Sequence, residues 1–387
     1  MKQGWEYKKL GEIITPAKAI KNCDNIDYPI LSITMRNGIV LQNERFKKTI
    51  ASVDTSNYKI VKNGQLVIAF PIDEGLIYTQ NIVEAGIMSP AYNIWDVDFS
   101  KINRHFLVTY LHCPYSMNYY KSKLRGTTMR RRSIPKEDLL NLSVPIPPMN
   151  KQMTIMEELD KINELIRLKK EQLKDYDNLA QSIFYEMFGD PVENEMGWEV
   201  KKLGEVCTDI KYGTSKPACE NGRYKYLRMC NLTDDGFLDL SNLKTIDIAD
   251  DEIEKCIVRY GDILFNRTNS IELVGKTCMF DKKEPMVIAG YIIRVRLNEA
   301  LLPIVLAKMF NLTSIKKVLR SMAKGAVNQA NINSKELASI KVPLPPLPLQ
   351  QLFAQRIEQI ERQKAEVQKT ITDLETLLAS RMQYWFE

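Results

Sequence analysis

A nine-residue phrase occurs twice in this chain, 193 positions apart. It reads WEYKKLGEI at residues 5–13 and WEVKKLGEV at residues 198–206, with seven of nine positions identical. The period is far longer than the roughly 20–50 residues of a solenoid unit. The repeat therefore predicts that a whole domain, together with its attachments, is present twice.

A second pair of segments repeats at an offset of 198 residues: IPKEDLLNLSVPIPP at 134–148 and INSKELASIKVPLPP at 332–346. Each is typical of a short helix, then a strand that ends in Val-Pro, then a proline-rich turn. Between the repeats, residues 28–118 and 224–297 alternate apolar and polar positions and carry Gly, Asn and Asp turns, which predicts strand-rich mixed domains. These two bodies barely resemble each other, so we expect the frame to be duplicated and its contents not.

A long segment without Gly or Pro follows each Pro-Pro, from about 151 to 188 and from about 350 to 386. Apolar residues recur in both with a 3.5-residue period, which favours coiled-coil packing of helices roughly 55 Å long. Charged Lys169, Lys364 and Arg381 interrupt the pattern, either to fix its register or as long stems that reach water. The predicted seam between the helices consists of Ile155, Leu159, Ile162, Ile166, Leu173, Tyr176, Ile183, Phe353, Ile357, Ile360, Val367, Ile371, Leu374 and Leu378.

Composition narrows the class of protein. The 387 residues allow two ordinary domains with connectors, and the net charge of +6 weakly favours a polyanionic partner. The seven cysteines are scattered without a CxxC pair, which is typical of reduced thiols in a cytosol. We find no signal-peptide core and no apolar run near the 18 or so residues of a membrane span. We therefore expect a soluble, cytoplasmic protein without a membrane partner.

The sequence offers little for catalysis or metal binding. Only two histidines, His105 and His112, are present. The segment SIELVGKT at 270–277 has Ser270 where a phosphate-binding loop needs its first glycine, and VPIPP lacks the Asn or Asp that precedes Pro-Pro in amino-methyltransferases. No carboxylate cluster is typical of a nuclease. We therefore predict no catalytic residue and no metal ligand.

The strongest electrostatic feature is KSKLRGTTMRRR at 121–132, with six bases and no acid. Its glycine and threonines allow close approach to phosphate oxygens, although such runs are often merely solvated surface. The matching segment KGAVNQAN at 324–331 is less basic and rich in amides, which could instead cap turns. Candidate DNA contacts in the two segments are Lys121, Lys123, Arg125, Thr127, Thr128, Arg130, Arg131 and Arg132, and Lys324, Asn328, Gln329 and Asn331.

Further candidates lie in turns after strands. TMRNG at 34–38 and NRTNS at 266–270 supply Arg and Asn, which can pair bidentately with guanine and adenine in the major groove. Turn chemistry alone would also explain their Asn and Gly residues. The candidate DNA contacts of this kind are Arg36, Asn37, Arg267, Asn269 and, with the strand-turn VGKT, Lys276; Arg228 and Asn231 complete the set.

Taken together, the doubled WE-KKLGE phrase, RGTTMRRRSIPKEDLLNLSVPIPP, KGAVNQANINSKELASIKVPLPPLPLQQ, GDILFNRTNS and the two long helices resemble the specificity subunits of type I restriction–modification systems. The resemblance implies an α+β fold with two mixed, strand-rich target-recognition domains. Two long antiparallel coiled-coil helices would separate them, with pseudo-two-fold internal duplication. The implied boundaries are 1–148 and 190–346 for the domains, and 149–189 and 347–387 for the helices.

The resemblance also implies a function. Each domain would read one half of a bipartite site in double-stranded DNA, and the helices, equivalent to roughly one and a half DNA turns, would space the readers. Two copies of an adenine methyltransferase subunit and a motor-nuclease subunit would bind this chain. S-adenosylmethionine, ATP and Mg would belong to those partners, and this chain would bind no cofactor. The alternatives are a structural coiled-coil adaptor with two protein-binding domains and an enzyme with an unrecognised active site.

Overall fold

The computed structural model describes residues 2, 4–23, 26–35, 37–45, 55–125, 133–326 and 329–387. The chain forms two compact units. Unit 1 comprises Met1–Lys170 and Lys369–Glu387, and unit 2 comprises Glu171–Gln368. Across the described ranges, no helix combines the length and apolar character that crossing a bilayer requires.

The elements of the first half begin with short strands and end with a long helix. The strands are β1 (Glu6–Lys9), β2 (Ile14–Pro16), β3 (Leu31–Thr34), β4 (Gly38–Leu41), β5 (Lys59–Lys62), β6 (Leu66–Ile68), β7 (Ile77–Thr79), β8 (Ala85–Met88), β9 (Asn93–Val97) and β10 (Ser143–Ile146). The helices are α1 (Gln42–Arg45), α2 (Arg104–Leu111), α3 (Pro114–Lys123), α4 (Lys136–Leu140) and α5 (Met149–Phe188).

The second half repeats this succession. Its strands are β11 (Glu199–Lys202), β12 (Cys207–Tyr212), β13 (Tyr224–Leu227), β14 (Lys244–Ile246), β15 (Ile257–Val258), β16 (Ile263–Asn266), β17 (Thr268–Asn269), β18 (Thr277–Met279), β19 (Met286–Ile288), β20 (Ile292–Leu297), β21 (Lys324–Ala326), β22 (Gln329–Asn331) and β23 (Lys341–Leu344). Its helices are α6 (Ile253–Cys256), α7 (Pro303–Phe310), α8 (Thr313–Met322), α9 (Ser334–Ala338) and α10 (Leu347–Phe386).

In each half, the WE-KKLGE segment pairs with the segment that ends in Val-Pro. β1 runs antiparallel to β10, and β11 runs antiparallel to β23. The register is the same in both, since Glu6 lies opposite Ile146 and Glu199 lies opposite Leu344. Each repeated phrase is therefore one strand of a two-stranded ribbon whose partner is the Val-Pro strand.

The strand-rich bodies are duplicated as well, which corrects the expectation that only the frame is repeated. The main sheet has the order β2-β9-β6-β7 in unit 1 and β12-β20-β16-β18 in unit 2. Ile68 of β6 lies opposite Ile77 and Asn93, and Phe265 of β16 lies opposite Thr277 and Ile293. The sequences diverged while the strand order and register stayed, because a sheet constrains which positions are apolar more than which residues fill them.

Each unit packs its own segments of α5 and α10 antiparallel against its core. In unit 1, Phe386 lies edge-on to Phe106 and Tyr110, at 5.5 and 5.6 Å between ring centroids. In unit 2, Phe353 lies 5.5 Å from Phe184 and 5.0 Å from Phe188. The predicted α+β class, with two strand-rich bodies, two long antiparallel helices and internal duplication, is confirmed.

The positions of the predicted seam face protein rather than water. Its buried members are Ile155, Leu159, Ile162, Ile166, Phe353, Ile357, Ile360, Val367 and Ile371, and its half-buried members are Leu173, Tyr176, Ile183, Leu374 and Leu378. Two of the charged interruptions form ion pairs between the helices. Lys364 Nζ lies 2.5 Å from Asp177 in unit 2, and Arg381 binds Glu158 in unit 1. These two side chains are therefore tied to a carboxylate of the other helix.

A buried glutamine fixes the start of each long helix. Gln152 accepts a hydrogen bond from the Asn103 N–H at 2.7 Å and donates to the Pro147 carbonyl at 2.8 Å. Gln350, 198 positions later, accepts from the Leu302 N–H at 2.8 Å and donates to the Pro345 carbonyl at 2.8 Å. Both side chains are fully buried. Each amide thus satisfies backbone groups at the junction of a helix pair with a long helix, where no water can reach them.

Candidate nucleic-acid interface

The described part of the basic run forms a positive surface on unit 1. Lys121 and Lys123 lie in the last turn of α3, and both are exposed. The Arg125 side chain is 76% exposed, and its Nη2 lies 3.3 Å from Asp138 Oδ2. The backbone of Arg125 bonds to Ser133 in both directions, at 3.0 and 3.1 Å. This bridge joins the two described residues that flank 126–132, and three exposed bases lie at or just before its first residue.

Several sequence candidates fall outside the described residues or are described only in their backbone. Those outside are Arg36, Thr127, Thr128, Arg130, Arg131, Arg132 and Asn328. For Lys324 and Gln329, the structure places the backbone in β21 and β22.

Asn37 occupies the turn between β3 and β4 on the surface of unit 1. It is exposed, and its N–H donates to Thr34 Oγ1 at 3.0 Å. The Tyr78 hydroxyl donates to the Met35 carbonyl at 3.0 Å and holds the hairpin, while burial raises the pKa of Tyr78 and keeps it protonated. Asn37 lines an open groove of about 710 Å³ together with Asn81, Arg104 and His105. The turn therefore presents an amide beside a basic groove wall.

In unit 2 the structure joins two motifs that the sequence separates by some 60 residues. β17 of NRTNS pairs with β22, and β22 pairs with β21 of KGAVNQAN. Thr268 lies opposite Asn331, and Asn269 lies opposite Ala330. The predicted candidates Arg267, Asn269 and Asn331 thus lie in and beside one small three-stranded sheet.

Arg267 is the centre of a polar network at that sheet. Its Nε donates to Asn331 Oδ1 at 3.1 Å, and its guanidinium lies 4.8 Å from the centroid of the Tyr212 ring. Thr268 Oγ1 donates to the same Asn331 oxygen at 2.9 Å. Tyr212 is fixed in turn, because its hydroxyl accepts the Ser334 N–H at 2.8 Å. A half-buried arginine is therefore positioned by two side chains that are themselves held.

The other unit 2 candidates have more local surroundings. Asn269 Oδ1 accepts the N–H of the next residue, Ser270, at 2.9 Å. Lys276 is half-buried directly before β18, where the near-miss phosphate loop forms a turn into a strand.

Arg228 and Asn231 hydrogen-bond within their own loop, and their role as DNA contacts stays a prediction. Asn231 is 2% exposed, accepts the Arg228 N–H at 2.9 Å and donates to the Asp239 carbonyl at 2.8 Å. Arg228 Nη2 donates to the Asn242 carbonyl at 2.9 Å. Both side chains close a loop on itself. A sequence pattern does not distinguish a buried loop amide from an exposed one.

A buried arginine that the sequence analysis missed lies in the unit 2 sheet. Arg294 is fully buried and its Nη2 lies 2.5 Å from Asp209 Oδ2, while Nη1 donates to the Glu254 carbonyl at 3.2 Å. Burial raises the pKa of Asp209, but the hydrogen bond and charge of Arg294 outweigh it, so the pKa is lowered overall. The pattern IIRVRL does not predict that the Arg294 side chain is buried. Over the described ranges, no cluster of three or more His, Cys, Asp or Glu could hold a metal ion.

Comparison with known proteins adds independent findings. The family model described as "Type I restriction modification DNA specificity domain" matches residues 2–175 and 195–376. The chain is 30% identical over 178 residues to the putative type I restriction enzyme MjaX specificity subunit of Methanocaldococcus jannaschii, covering 45% of this chain and 42% of that protein. It is 25% identical over 292 residues to the type I restriction enzyme EcoKI specificity subunit of Escherichia coli, covering 71% and 61%. The matches thus span less than two thirds of these two relatives.

A solved structure supports the fold. It is described as the "structural basis underlying complex assembly and conformational transition of the type I R-M system". The match has a TM-score of 0.64 at 20% identity and covers 100% of this chain and 98% of the other.

Proposed function

Because the chain belongs to the family of type I restriction–modification DNA specificity domains, we propose that it is the DNA sequence-recognition subunit of a type I restriction–modification complex. The family is one of specificity components rather than of enzymes. Methyl transfer and cleavage would accordingly reside in partner subunits, which would hold S-adenosylmethionine, ATP and Mg. We expect the complex to act in the cytoplasm.

We further propose that each unit reads one half of a bipartite target in double-stranded DNA. The observation that carries this proposal is that the two units share strand order and register but present unlike polar surfaces. Lys121, Lys123 and Arg125 of unit 1 suit phosphate oxygens, which position a protein on DNA without selecting sequence. Arg267 and Asn331 of unit 2 suit base edges in the major groove. Two different half-sites would require two units of the same fold with different polar surfaces.

The duplicated frame would bind two copies of an adenine methyltransferase subunit. Two identical partners need two equivalent surfaces, and the ribbons β1–β10 and β11–β23 have the same register. The long helices also carry exposed leucines, including Leu165, Leu168 and Leu179 at 47, 45 and 44%. Exposed apolar residues on a helix are typical of protein-binding surfaces when they cluster. A motor-nuclease subunit would join this assembly for restriction. The domain limits 1–148, 149–189, 190–346 and 347–387 remain part of this proposal.

A genome-wide map of methylated adenines tests the proposal. Cells with and without this chain would be compared, with the candidate methyltransferase subunit present in both. We expect the chain to be required for one split motif with a fixed gap, because the gap would be set by one protein. Methylation that does not depend on the chain would contradict a role in site choice.

The alternative is a coiled-coil adaptor with two protein-binding domains. It predicts the same methylation map in both strains and no sequence-selective DNA binding by the assembled complex. Binding of that complex to specific and scrambled duplexes at several salt concentrations therefore separates the two functions.

A further inference from the structure

We infer that Arg267 reads a guanine in the half-site bound by unit 2, and that Tyr212 and Asn331 are its positioning residues. The inference rests on the proposed DNA-recognition function and makes it specific to one side chain and one base. It concerns the polar network at the β17–β22–β21 sheet.

The backbone of Arg267 is held on both sides. Its N–H donates to the Tyr291 carbonyl at 3.0 Å, and its carbonyl accepts the Ile332 N–H at 2.9 Å. The side chain is held by the Tyr212 ring and by Asn331 Oδ1. Much of the rotamer freedom that a free arginine would lose on binding is therefore already lost. Preorganisation of this kind favours a contact that depends on geometry.

The hydrogen bonding of the guanidinium leaves its outer edge available. Of the described residues, only Asn331 accepts a hydrogen bond from the Arg267 guanidinium, and it does so at Nε. Both terminal nitrogens therefore keep their donors for a ligand. Two parallel N–H donors match O6 and N7 of guanine, which is the commonest specific contact in the major groove.

Two other arginines of unit 2, Arg223 and Arg296, have donors engaged by carboxylates. Arg223 also lies over a tyrosine ring, 5.1 Å from the Tyr224 centroid, but its Nη1 donates to Asp250 at 2.8 Å. Arg296 binds Asp262 through Nε at 2.8 Å and through Nη2 at 3.2 Å. Arg267 shares the aromatic support of Arg223 without the competing carboxylate.

The position of unit 1 that corresponds to Arg267 carries an apolar residue. Phe265 and Ile68 are equivalent in register, so the residue two places later is Arg267 in unit 2 and Phe70 in unit 1. Phe70 is 44% exposed and has no donor. A phosphate contact needed equally by both halves would be expected at the same place in both units. A contact in one unit only favours base reading.

The test measures base discrimination by the assembled complex. The full chain with its methyltransferase partner would be bound to duplexes in which each position of the target is varied, and the same variants would be mapped by adenine methylation. In Arg267→Ala and Arg267→Lys we expect discrimination at one G·C pair of one half-site to fall about 10- to 100-fold, with the other half-site unchanged. Lysine keeps the charge but loses the fork, so it should fail as alanine does.

Positioning variants and a matched control sharpen the result. Tyr212→Leu should lower discrimination at the same base by about 2- to 5-fold, because the cation–π support is lost. Tyr212→Phe keeps the ring but not the hydroxyl that accepts the Ser334 N–H, so it should retain most of the discrimination that Tyr212→Leu loses. Arg223→Ala removes an arginine of similar aromatic surroundings and should leave every position unchanged.

Three outcomes decide the inference. Unchanged discrimination at every G·C pair in Arg267→Lys would overturn it. Equal weakening on all sequences, with a shallower salt dependence, would assign Arg267 to a phosphate and overturn it as well. A wild-type complex without any chain-dependent sequence preference would instead reject the proposed function, and the inference with it. Size-exclusion chromatography of each complex checks assembly, and Arg267→Lys carries the decision if Arg267→Ala does not assemble.

Discussion

Units 1 and 2 each contain a sheet of the same strand order, but the two sheets carry different residues at equivalent positions. Where unit 2 has Arg267 beside the strand end and Arg294 inside the sheet, the register-equivalent residues of unit 1 are Phe70 and Ile94. The strand order is nevertheless the same in both. The sheet therefore fixes where a residue stands, while its chemistry can change from apolar to cationic if local partners compensate. Stability can therefore be changed in one unit while the other unit serves as its reference.

The largest expected difference concerns the buried ion pair, which only unit 2 has at this sheet position. Asp209→Asn removes the partner of fully buried Arg294 and should destabilise unit 2 by about 3 kcal/mol at neutral pH, because an uncompensated buried charge remains. Hydrogen exchange of the strand amides, resolved by segment, would measure the loss in each unit. Asp96→Asn, at an exposed carboxylate in the unit 1 sheet, is the control and should change stability by less than about 0.5 kcal/mol.

The same pair gives unit 2 its own pH dependence. The pKa of Asp209 is lowered in the folded protein, so the ionised form contributes stability above the ordinary value of 3.8 and that contribution is lost as the pH falls below it. Acidification should therefore remove from wild-type unit 2 a contribution to stability that depends on the Asp209 carboxylate. In Asp209→Asn this extra acid sensitivity should disappear. Equal acid responses of wild type and variant would contradict the assignment.

The next largest effect should be alike in both units. Gln152→Leu and Gln350→Leu each leave a buried backbone N–H and carbonyl unpaired, which should cost about 2–3 kcal/mol. Urea unfolding followed by segment-resolved exchange would place each loss in its own unit. Gln181→Leu and Gln351→Leu, at exposed positions of the same helices, are the controls. Clearly unequal losses would show that the two glutamines contribute differently to stability although their hydrogen bonds are alike.

The smallest effect concerns the interhelix ion pairs. A double-mutant cycle of Lys364 and Asp177 should give a coupling of about 1 kcal/mol or less, since Asp177 is 38% exposed. The cycle of Arg381 and Glu158 should give somewhat more, because Glu158 also accepts a bond from Trp385 Nε1 at 3.1 Å and its pKa is lowered first by the Arg381 hydrogen bond. Both couplings should shrink in high salt. A larger coupling for Lys364–Asp177 in unit 2 than for Arg381–Glu158 in unit 1 would contradict this prediction.

The frame could be predicted from sequence because its residues repeat. The sheets could not, since period-2 alternation indicates strands but not their order, and residue pairs such as Ile68 and Phe265 share only apolarity. Gln152 and Gln350 were missed although each stands four places after the second proline of Pro-Pro. That repeated spacing was the available signal.

The surroundings of the individual DNA-contact candidates could not be predicted from the sequence, for physical reasons. Arg267 and Asn331 come together only because β17 pairs with β22, a long-range contact that no local pattern encodes. Asn231, another candidate, is 2% exposed, and its amide binds within its own loop. Polar turn residues look alike whether they bind backbone or ligand, so burial had to be observed.

The division of the long helices between the units has a consequence for synthesis. Unit 2 is one continuous stretch, whereas unit 1 needs Lys369–Glu387 to complete a core that begins near the start of the chain. Phe386 packs against Phe106 and Tyr110. A ribosome adding about 5–20 residues per second makes unit 1 wait on the order of ten seconds or more for that ring. The unit that is translated first is therefore the last whose core can close.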